Sequence, residues 1–382
     1  MYRKVPCCIY RGGTSKGVLF HDRDLPQERA LRDQVILAAF GSPDSRQIDG
    51  LGGADSLTSK TAIVGPPTTN ADVDYTFGQV SITAPLVDYG SNCGNISSAV
   101  GPFAIDEGLV PASEPVTKVR IHNTNSRKII VAEVPTQDGM PVCVGDYAIS
   151  GVPGTGAKIT LDFLDSGGAV TGRLLPTGQP RDVLDLGHLG KFEVSVVDAA
   201  TAVVFVKAKD LGLTGTETPN RINADQALLA LLEAIRGAAA VLVGKAREPE
   251  EAAKKSPSVP KIAFVGPPAS YETASGETVQ ENSIDVVSRI MSMQKAHKAY
   301  AVTGAICTAA AASLEGTVVS EVLESFKGDE VRLGHAGGTL SVEISIEDVS
   351  GEMVLRRAAL GRTARRIMEG YVYVPNRLFS QA

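Results

Sequence analysis

The sequence predicts an α+β fold built as two halves, each a shell of strands around one short buried helix. Three observations point there. Runs with period-two or continuous β-branched character outnumber helical ones. Two short helices of small, apolar residues open in a similar way in opposite halves of the chain, one at Cys93 and one near Thr303. A chain of 382 residues with 43% hydrophobic content also exceeds one ordinary core. Two such halves would face each other across a cleft.

The expected strands, in order, are Val73–Ala84, Lys118–His122, Lys128–Val134, Lys158–Phe163, Phe192–Val206, Lys261–Val265, Thr339–Ile346 and Tyr371–Val374. Four stretches predict helices. Pro26 opens the first, with Ala30, Leu31, Val35, Ile36 and Ala39 on one face. Asn223 with Gln226 has the form of a capping box before Ala227–Ile235. After Asn282, residues Ile284, Val287, Ile290 and Met291 stand at helical spacing, and the fourth helix runs from Thr303-Gly304 through the alanines to Leu314. The glycine-rich segment Gly167–Gly190 suits crossing loops and puts the division near Gly187, with domains 1–186 and 187–382 and the strand near 371–374 returning to the first. Ala246–Pro260 is charged and poor in apolar residues, as expected of a solvated loop.

Composition removes several classes of function. A net charge of −6, scattered Lys and Arg, and the absence of Trp leave neither a phosphate track nor a stacking platform for nucleic acid. No window approaches the apolar length that crosses a bilayer, so the expectation is a cytoplasmic protein without membrane contact. Five cysteines, Cys7, Cys8, Cys93, Cys143 and Cys307, stand at spacings that fit neither a zinc site nor a disulfide framework. Reduced thiols and no metal are expected.

Asn92-Cys93-Gly94-Asn95 precedes the apolar run Ile96, Val100, Phe103 and Ala104, which sets a cysteine at the start of a helix. Unpaired N–H groups and the positive end of the helix dipole favour thiolate there and also bind carboxylates. An isolated cysteine is more often a structural one. A duplicated tripeptide, Thr14-Ser15-Lys16 and Thr58-Ser59-Lys60, follows glycines in both copies, and glycine lets backbone approach a ligand closely. Neither copy has P-loop spacing. Two lysines beside a helix-opening cysteine favour an anion site with acid–base chemistry. Arg11 suits a bidentate carboxylate contact, and Ser15, Ser59, Asn92 and Asn95 carry carboxylate-binding groups, although Asn and Ser beside a helix start commonly serve as caps. No G-x-S-x-G elbow of a serine hydrolase occurs.

RGGTSKGVLF (11–20), DGLGGADSLTSKTAIV (49–64), SNCGNISSAVGPFAIDEGLV (91–110), VRIHNTNS (119–126), VPGTG (152–156) with GRLLPTG (172–178), and HKAYAVTGAICTAAAA (297–312) together resemble the PrpF family. That family comprises 2-methylaconitate isomerases with methylitaconate Δ-isomerases and oxalomesaconate tautomerases. The resemblance implies a diaminopimelate-epimerase-like fold, with two pseudo-equivalent domains, each a sheet or barrel around a central helix, and the active site between them. It implies a cofactor-independent isomerase that shifts a C=C bond in a small unsaturated di- or tricarboxylic acid by 1,3-allylic proton transfer. It assigns Lys60 and Cys93 as the acid–base pair.

Where the epimerases open both central helices with Cys, the second position here is Thr303, and Cys307 lies about a turn further in. A single helix-opening thiol favours one-face chemistry over two-thiol racemisation. Substrate carboxylates are expected on the backbone N–H groups of Cys93, Gly94 and Asn95 and of Thr303, Gly304 and Ala305, assisted by Lys16. A racemase using Thr303 or Cys307, and a non-catalytic carboxylate-binding accessory protein, are the alternatives. A homodimer is the default assembly.

Overall fold

The computed structural model describes residues 1–380 except 91, 165 and 324–327. The chain divides into two compact units, Met1–Leu161 with Gly361–Ala382, and Asp162–Leu360.

In the first unit, Tyr2–Gly12 and Ser15–His21 form an antiparallel hairpin. Ser15–His21 pairs in parallel with Lys60–Gly65, which pairs antiparallel with Val73–Val80. Val73–Val80 then runs parallel to Val116–Asn123, itself antiparallel to Lys128–Gln137. Ala364–Pro375 closes the other side of Tyr2–Gly12. One sheet face packs on the helix Arg29–Phe40 through Val5, Cys7, Val18, Phe20, Ile63, Val35, Ile36 and Phe40. The other wraps the helix Gly94–Asp106, buried at every residue from Gly94 to Ile105. A sheet covered on both faces explains why strands such as Lys60–Gly65 are buried at each residue instead of alternating.

A helix so enclosed must be thin and must satisfy its own polar groups. Gly101 supplies the first condition: a Cβ there would stand 2.8 Å from Val134 Cγ2. Ser97 and Ser98 meet the second, donating to Cys93 O at 3.0 Å and Asn95 O at 2.7 Å.

The second unit repeats this order of pairings. Lys191–Ala199 and Thr201–Lys207 form a hairpin, followed by Lys261–Gly266 in parallel and Val286–Ser292 antiparallel. Glu330–His335 is then parallel to Val286–Ser292, and Gly338–Val349 is antiparallel to Glu330–His335. Gln226–Leu242 covers one face and the buried helix Val302–Ser313 the other. The third strands of the two units both read Lys-x-Ala-x-Val-Gly, from Lys60 and from Lys261.

Several expectations need correction. The segment after Asn282 is a strand, not a helix: Val286–Ser292 is buried at every residue from Val286 to Met291, Ser288 and Arg289 included, and burial on both faces leaves no alternation to read. The cap of Gln226–Leu242 is Asp225, whose carboxylate accepts from Leu228 N, while Asn223 lies in the preceding helix Pro219–Ala224. The strand Phe192–Val206 breaks into a hairpin at Ala200, which has φ 59°.

The division falls at Leu161/Asp162 instead of near Gly187, because the glycine-rich stretch is bound to the hairpin of the second unit: Gly168 N donates to Asp198 O, and Ala200 N to Ser166 O. The segment 246–260 is no free loop either. Ala252 and Val259 are buried, and Arg236 donates to Ser256 O and Pro260 O.

Candidate active site

Side-chain alternation in the first unit separates the expected site residues into two sets. Gly12 and Gly17 mark the sheet face turned to the central helix, since a Cβ on Gly12 would stand 2.5 Å from Asn95 O and one on Gly17 3.0 Å from Ile96 Cδ1. Ser15 is paired with Gly12, and Lys60 with Gly17, so both stand on that face. On the next strand Gln79 is paired with Lys60, and Tyr75 and Phe77 share its face.

That strand holds both expected catalytic residues. Gln79 Oε1 accepts from Lys60 Nζ at 2.6 Å, and the ammonium lies 5.2 Å from the centre of the Phe77 ring. Tyr75 donates its hydroxyl to Cys93 O at 3.5 Å. Burial and the neighbouring Cys93 push the Tyr75 hydroxyl well above its ordinary range, so it remains a donor.

Cys93 caps the helix with extended backbone (φ −122°, ψ 98°), half-buried, its thiol not engaged in capping. Its carbonyl begins the helical ladder by accepting from Ser97 N. The N–H groups of Gly94, Asn95 and Ile96 therefore have no intrahelical acceptor and find none among the described residues. Ser15, 2% exposed, also has a hydroxyl without a partner among the described residues. A buried hydroxyl thus stands on the face of Lys60, in the sheet that wraps a helix start with three donors unpaired among the described residues, and a helix start of that kind favours an anion.

Gly13 has φ 52°, and a Cβ on it would stand 2.1 Å from Asn95 Oδ1. Asn95 in turn clasps the turn, with Nδ2 donating to Thr14 Oγ1 at 3.1 Å and Oδ1 accepting from Thr14 N at 3.4 Å. Asn92 Oδ1 accepts from Asn123 Nδ2, and Asn125 ties the backbone of Phe77 and Tyr89 together. Both asparagine amides beside Cys93 thus hold the local structure.

The second set lies on the opposite sheet face. Arg11 and Lys16 are paired with each other there. Arg11 Nη1 donates to Gly13 O and Thr363 O, and burial with the neighbouring Arg365 lowers its pKa. Ser59 is fully buried and donates to Gln47 Oε1 at 2.7 Å, which fixes the loop before it. These three residues are not gathered with Lys60.

In the second unit the helix is capped by Ala301, so Thr303 is its second residue and the N–H groups without an acceptor among the described residues are those of Val302, Thr303 and Gly304. Ala305 N already donates to Ala301 O at 2.8 Å, which removes it from the expected donors. No thiol opens this helix. Cys307 is fully buried, donates to Val197 O, and is pushed far above the ordinary thiol range by burial. His335 is also buried, with Nδ1 accepting from Gly337 N.

A cavity of about 340 Å³ lies at the far end of the first central helix, lined by residues including Cys8, His21, Glu107 and Arg366. Burial raises the Cys8 thiol to about 12, which favours the neutral thiol. Among the described residues no group of three His, Cys, Asp or Glu side chains is arranged for a metal, and no helix is long and apolar enough to cross a membrane.

Sequence reasoning missed Tyr75 and Gln79, which carry no motif. Their place follows from the strand register that pairs Gln79 with Lys60.

Two units that each wrap strands around a central helix, the first helix opened by a cysteine, have the diaminopimelate-epimerase-like fold. Residues 2–375 match the PrpF protein family, and the chain belongs to it. The chain is 54% identical over 375 residues to the 3-methylitaconate isomerase of Eubacterium barkeri, covering 97% of each. It is 42% identical over 386 residues to the 2-methyl-aconitate isomerase of Shewanella oneidensis, again covering 97% of each. The crystal structure of a methylitaconate-delta-isomerase superposes with TM-score 0.84 at 53% identity, covering 99% of this chain and 97% of the other.

Proposed function

We propose that this enzyme moves a C=C bond within a small unsaturated di- or tricarboxylic acid by 1,3-allylic proton transfer, with Lys60 and Cys93 as the acid–base pair. The observation that carries the reading is the strand Val73–Val80, which binds Lys60 through Gln79 and the Cys93 carbonyl through Tyr75 on one face. A base removes the proton from the carbon γ to a carboxylate, and the electron pair of that C–H bond becomes the new C=C bond. The old π pair delocalises into the carboxylate as a dienolate, which takes a proton at its α carbon. No atom is gained or lost.

The dienolate carries one charge more than the substrate, and stabilising it is the main task of the site. The unpaired N–H groups of Gly94, Asn95 and Ile96, the dipole of their helix and the Ser15 hydroxyl serve that charge.

Methylitaconate is the first substrate to try, because identity to the methylitaconate isomerase is 54% against 42% for the methylaconitate enzyme. In that acid the same shift runs the other way: the methyl-bearing carbon, α to its own carboxylate, loses the proton, the methylene carbon γ to that carboxylate gains one, and the double bond ends between two carboxylate-bearing carbons. 2-Methylaconitate and oxalomesaconate are the other members of the panel. One methyl is worth only about 1–3 kcal/mol of discrimination in a pocket, so activity on more than one is expected.

A racemase is disfavoured by the helix Val302–Ser313, which opens without a thiol. We also infer a cytoplasmic homodimer, which sedimentation of the purified protein would check. Cys93→Ser and Lys60→Ala should each lower kcat by about 10²-fold or more, with circular dichroism unchanged. Near-normal turnover in both would remove the assignment.

A further inference from the structure

Lys60 is a buried lysine held by a neutral partner. At 8% exposure it makes no ion pair with a carboxylate among the described residues, and its Nζ donates to an amide oxygen. The identity of that oxygen is secured by the rest of the amide. Gln79 Nε2 donates to Ser59 O at 2.9 Å and to Ser56 O at 3.2 Å, so the two carbonyls take both amide hydrogens and leave Oε1 turned to the lysine. Those carbonyls belong to the segment leading into Lys60, which makes the arrangement a closed clasp around the start of one strand.

We propose that Gln79 is the positioning residue of Lys60: its amide oxygen fixes the direction of the ammonium while adding no counter-charge. The proposal rests on the reading of Lys60 as a catalytic acid or base. Such a lysine must change protonation state in every turnover, and a carboxylate partner would favour the ammonium and oppose the neutral amine. An amide oxygen gives direction at much smaller electrostatic bias. The Phe77 ring, 5.2 Å from Nζ, supports the cation in the same undemanding way.

Of the other groups turned toward Lys60, one brings a charge. On the neighbouring strands these are the Ser15 hydroxyl, Tyr75, whose phenol stays protonated, and Asp88, which is paired with Gln79 on the side away from Lys60, accepts from Gly90 N and makes no ion pair with Nζ among the described residues. On the helix the titratable group at the near end is Cys93. The carboxylate of Asp106 stands at the other end, twelve residues and about 18 Å along the axis from Gly94, and it is paired with Arg366. Lys16 is on the opposite sheet face.

The test compares wild type with Gln79→Glu, Gln79→Met and Lys60→Ala, following kcat and KM across pH on the best acid of the panel. Gln79→Glu keeps the shape, brings a carboxylate against Nζ and gives up both Nε2 donors. The proposal predicts that the limb of the kcat profile belonging to Lys60 moves to higher pH by about one unit or more, whichever of acid or base Lys60 is. Gln79→Met, which keeps bulk but has no strong acceptor, should lower kcat by about tenfold with KM little changed.

An unshifted limb in Gln79→Glu, with Lys60→Ala inactive, would overturn the positioning role and leave Lys60 standing. Wild-type turnover in Lys60→Ala would instead overturn the catalytic reading beneath it. If Gln79→Glu proves unstable, a KM rise without a kcat loss in Gln79→Met would count against the proposal.

Discussion

Ser15 and Ser59 show how little a residue's chemistry reveals before its face is known. Both are buried serines in copies of one tripeptide, yet Ser15 Oγ has no partner among the described residues and Ser59 Oγ binds Gln47. Opposite outcomes follow. Ser15→Ala removes an unsatisfied buried hydroxyl, whose burial costs about 1–3 kcal/mol, so it should leave the melting temperature unchanged or higher while KM rises about tenfold. Ser59→Ala should lower stability by about 1 kcal/mol and leave KM alone. Paired denaturation and kinetics would check both, and a reversed pattern would exchange their roles. Cys93 was legible because a cap position has a recognisable sequence neighbourhood. Lys60 was singled out by family resemblance, whereas Gln79 became visible only through the register that pairs it with Lys60.

At the scale of elements, the first hairpin and the helix Gly94–Asp106 act as one device. Gly13 at φ 52° allows the turn to lie on Asn95, and Asn95 holds Thr14, the residue before Ser15. Gly13→Ala costs about 1–2 kcal/mol from its left-handed backbone alone, and its Cβ collides with the Asn95 amide. Thermal unfolding should show at least that loss, together with reduced affinity for substrate, because Ser15 moves with the turn. Wild-type affinity in a destabilised Gly13→Ala would show that the hairpin is structural only. The two central helices were readable from their small apolar composition, but their first residues were not. The cap of the second falls at Ala301, a residue with no capping side chain, so nothing in its chemistry marked the boundary. Val286–Ser292 was misread because burial on both faces erases the alternation that distinguishes a strand.

Across the whole molecule, the same sequence of pairings is used twice and only one copy carries a cysteine at its helix start. The duplication was foreseen from two similar helices. The point of division was not, because glycines mark turns whether a segment links domains or, as in Gly167–Gly190, lies bound within one. The first copy also has a pH-sensitive joint far from Cys93. Burial raises the Glu107 carboxyl, but the hydrogen bonds and charges of His21 and Arg366 outweigh it and hold the group below its ordinary value. A carboxyl depressed in the folded state stabilises above its unfolded pKa, about 4.3, and that contribution fades as pH falls through the folded value. Glu107→Gln should therefore lower the melting temperature at pH 7 and narrow the difference between pH 7 and pH 4. An undiminished acid sensitivity would place the responsible carboxyl elsewhere.

The central claim is an intramolecular proton shift along an allylic system, and proton NMR of methylitaconate with the purified enzyme in D₂O tests it most directly. The account predicts migration of the double bond, with loss of the methylene signals and appearance of a methyl group carrying deuterium wherever the transferred proton exchanges with solvent. Unchanged spectra for methylitaconate, 2-methylaconitate and oxalomesaconate at high enzyme concentration, or deuterium entering a saturated carbon with inversion and no double-bond movement, would contradict it.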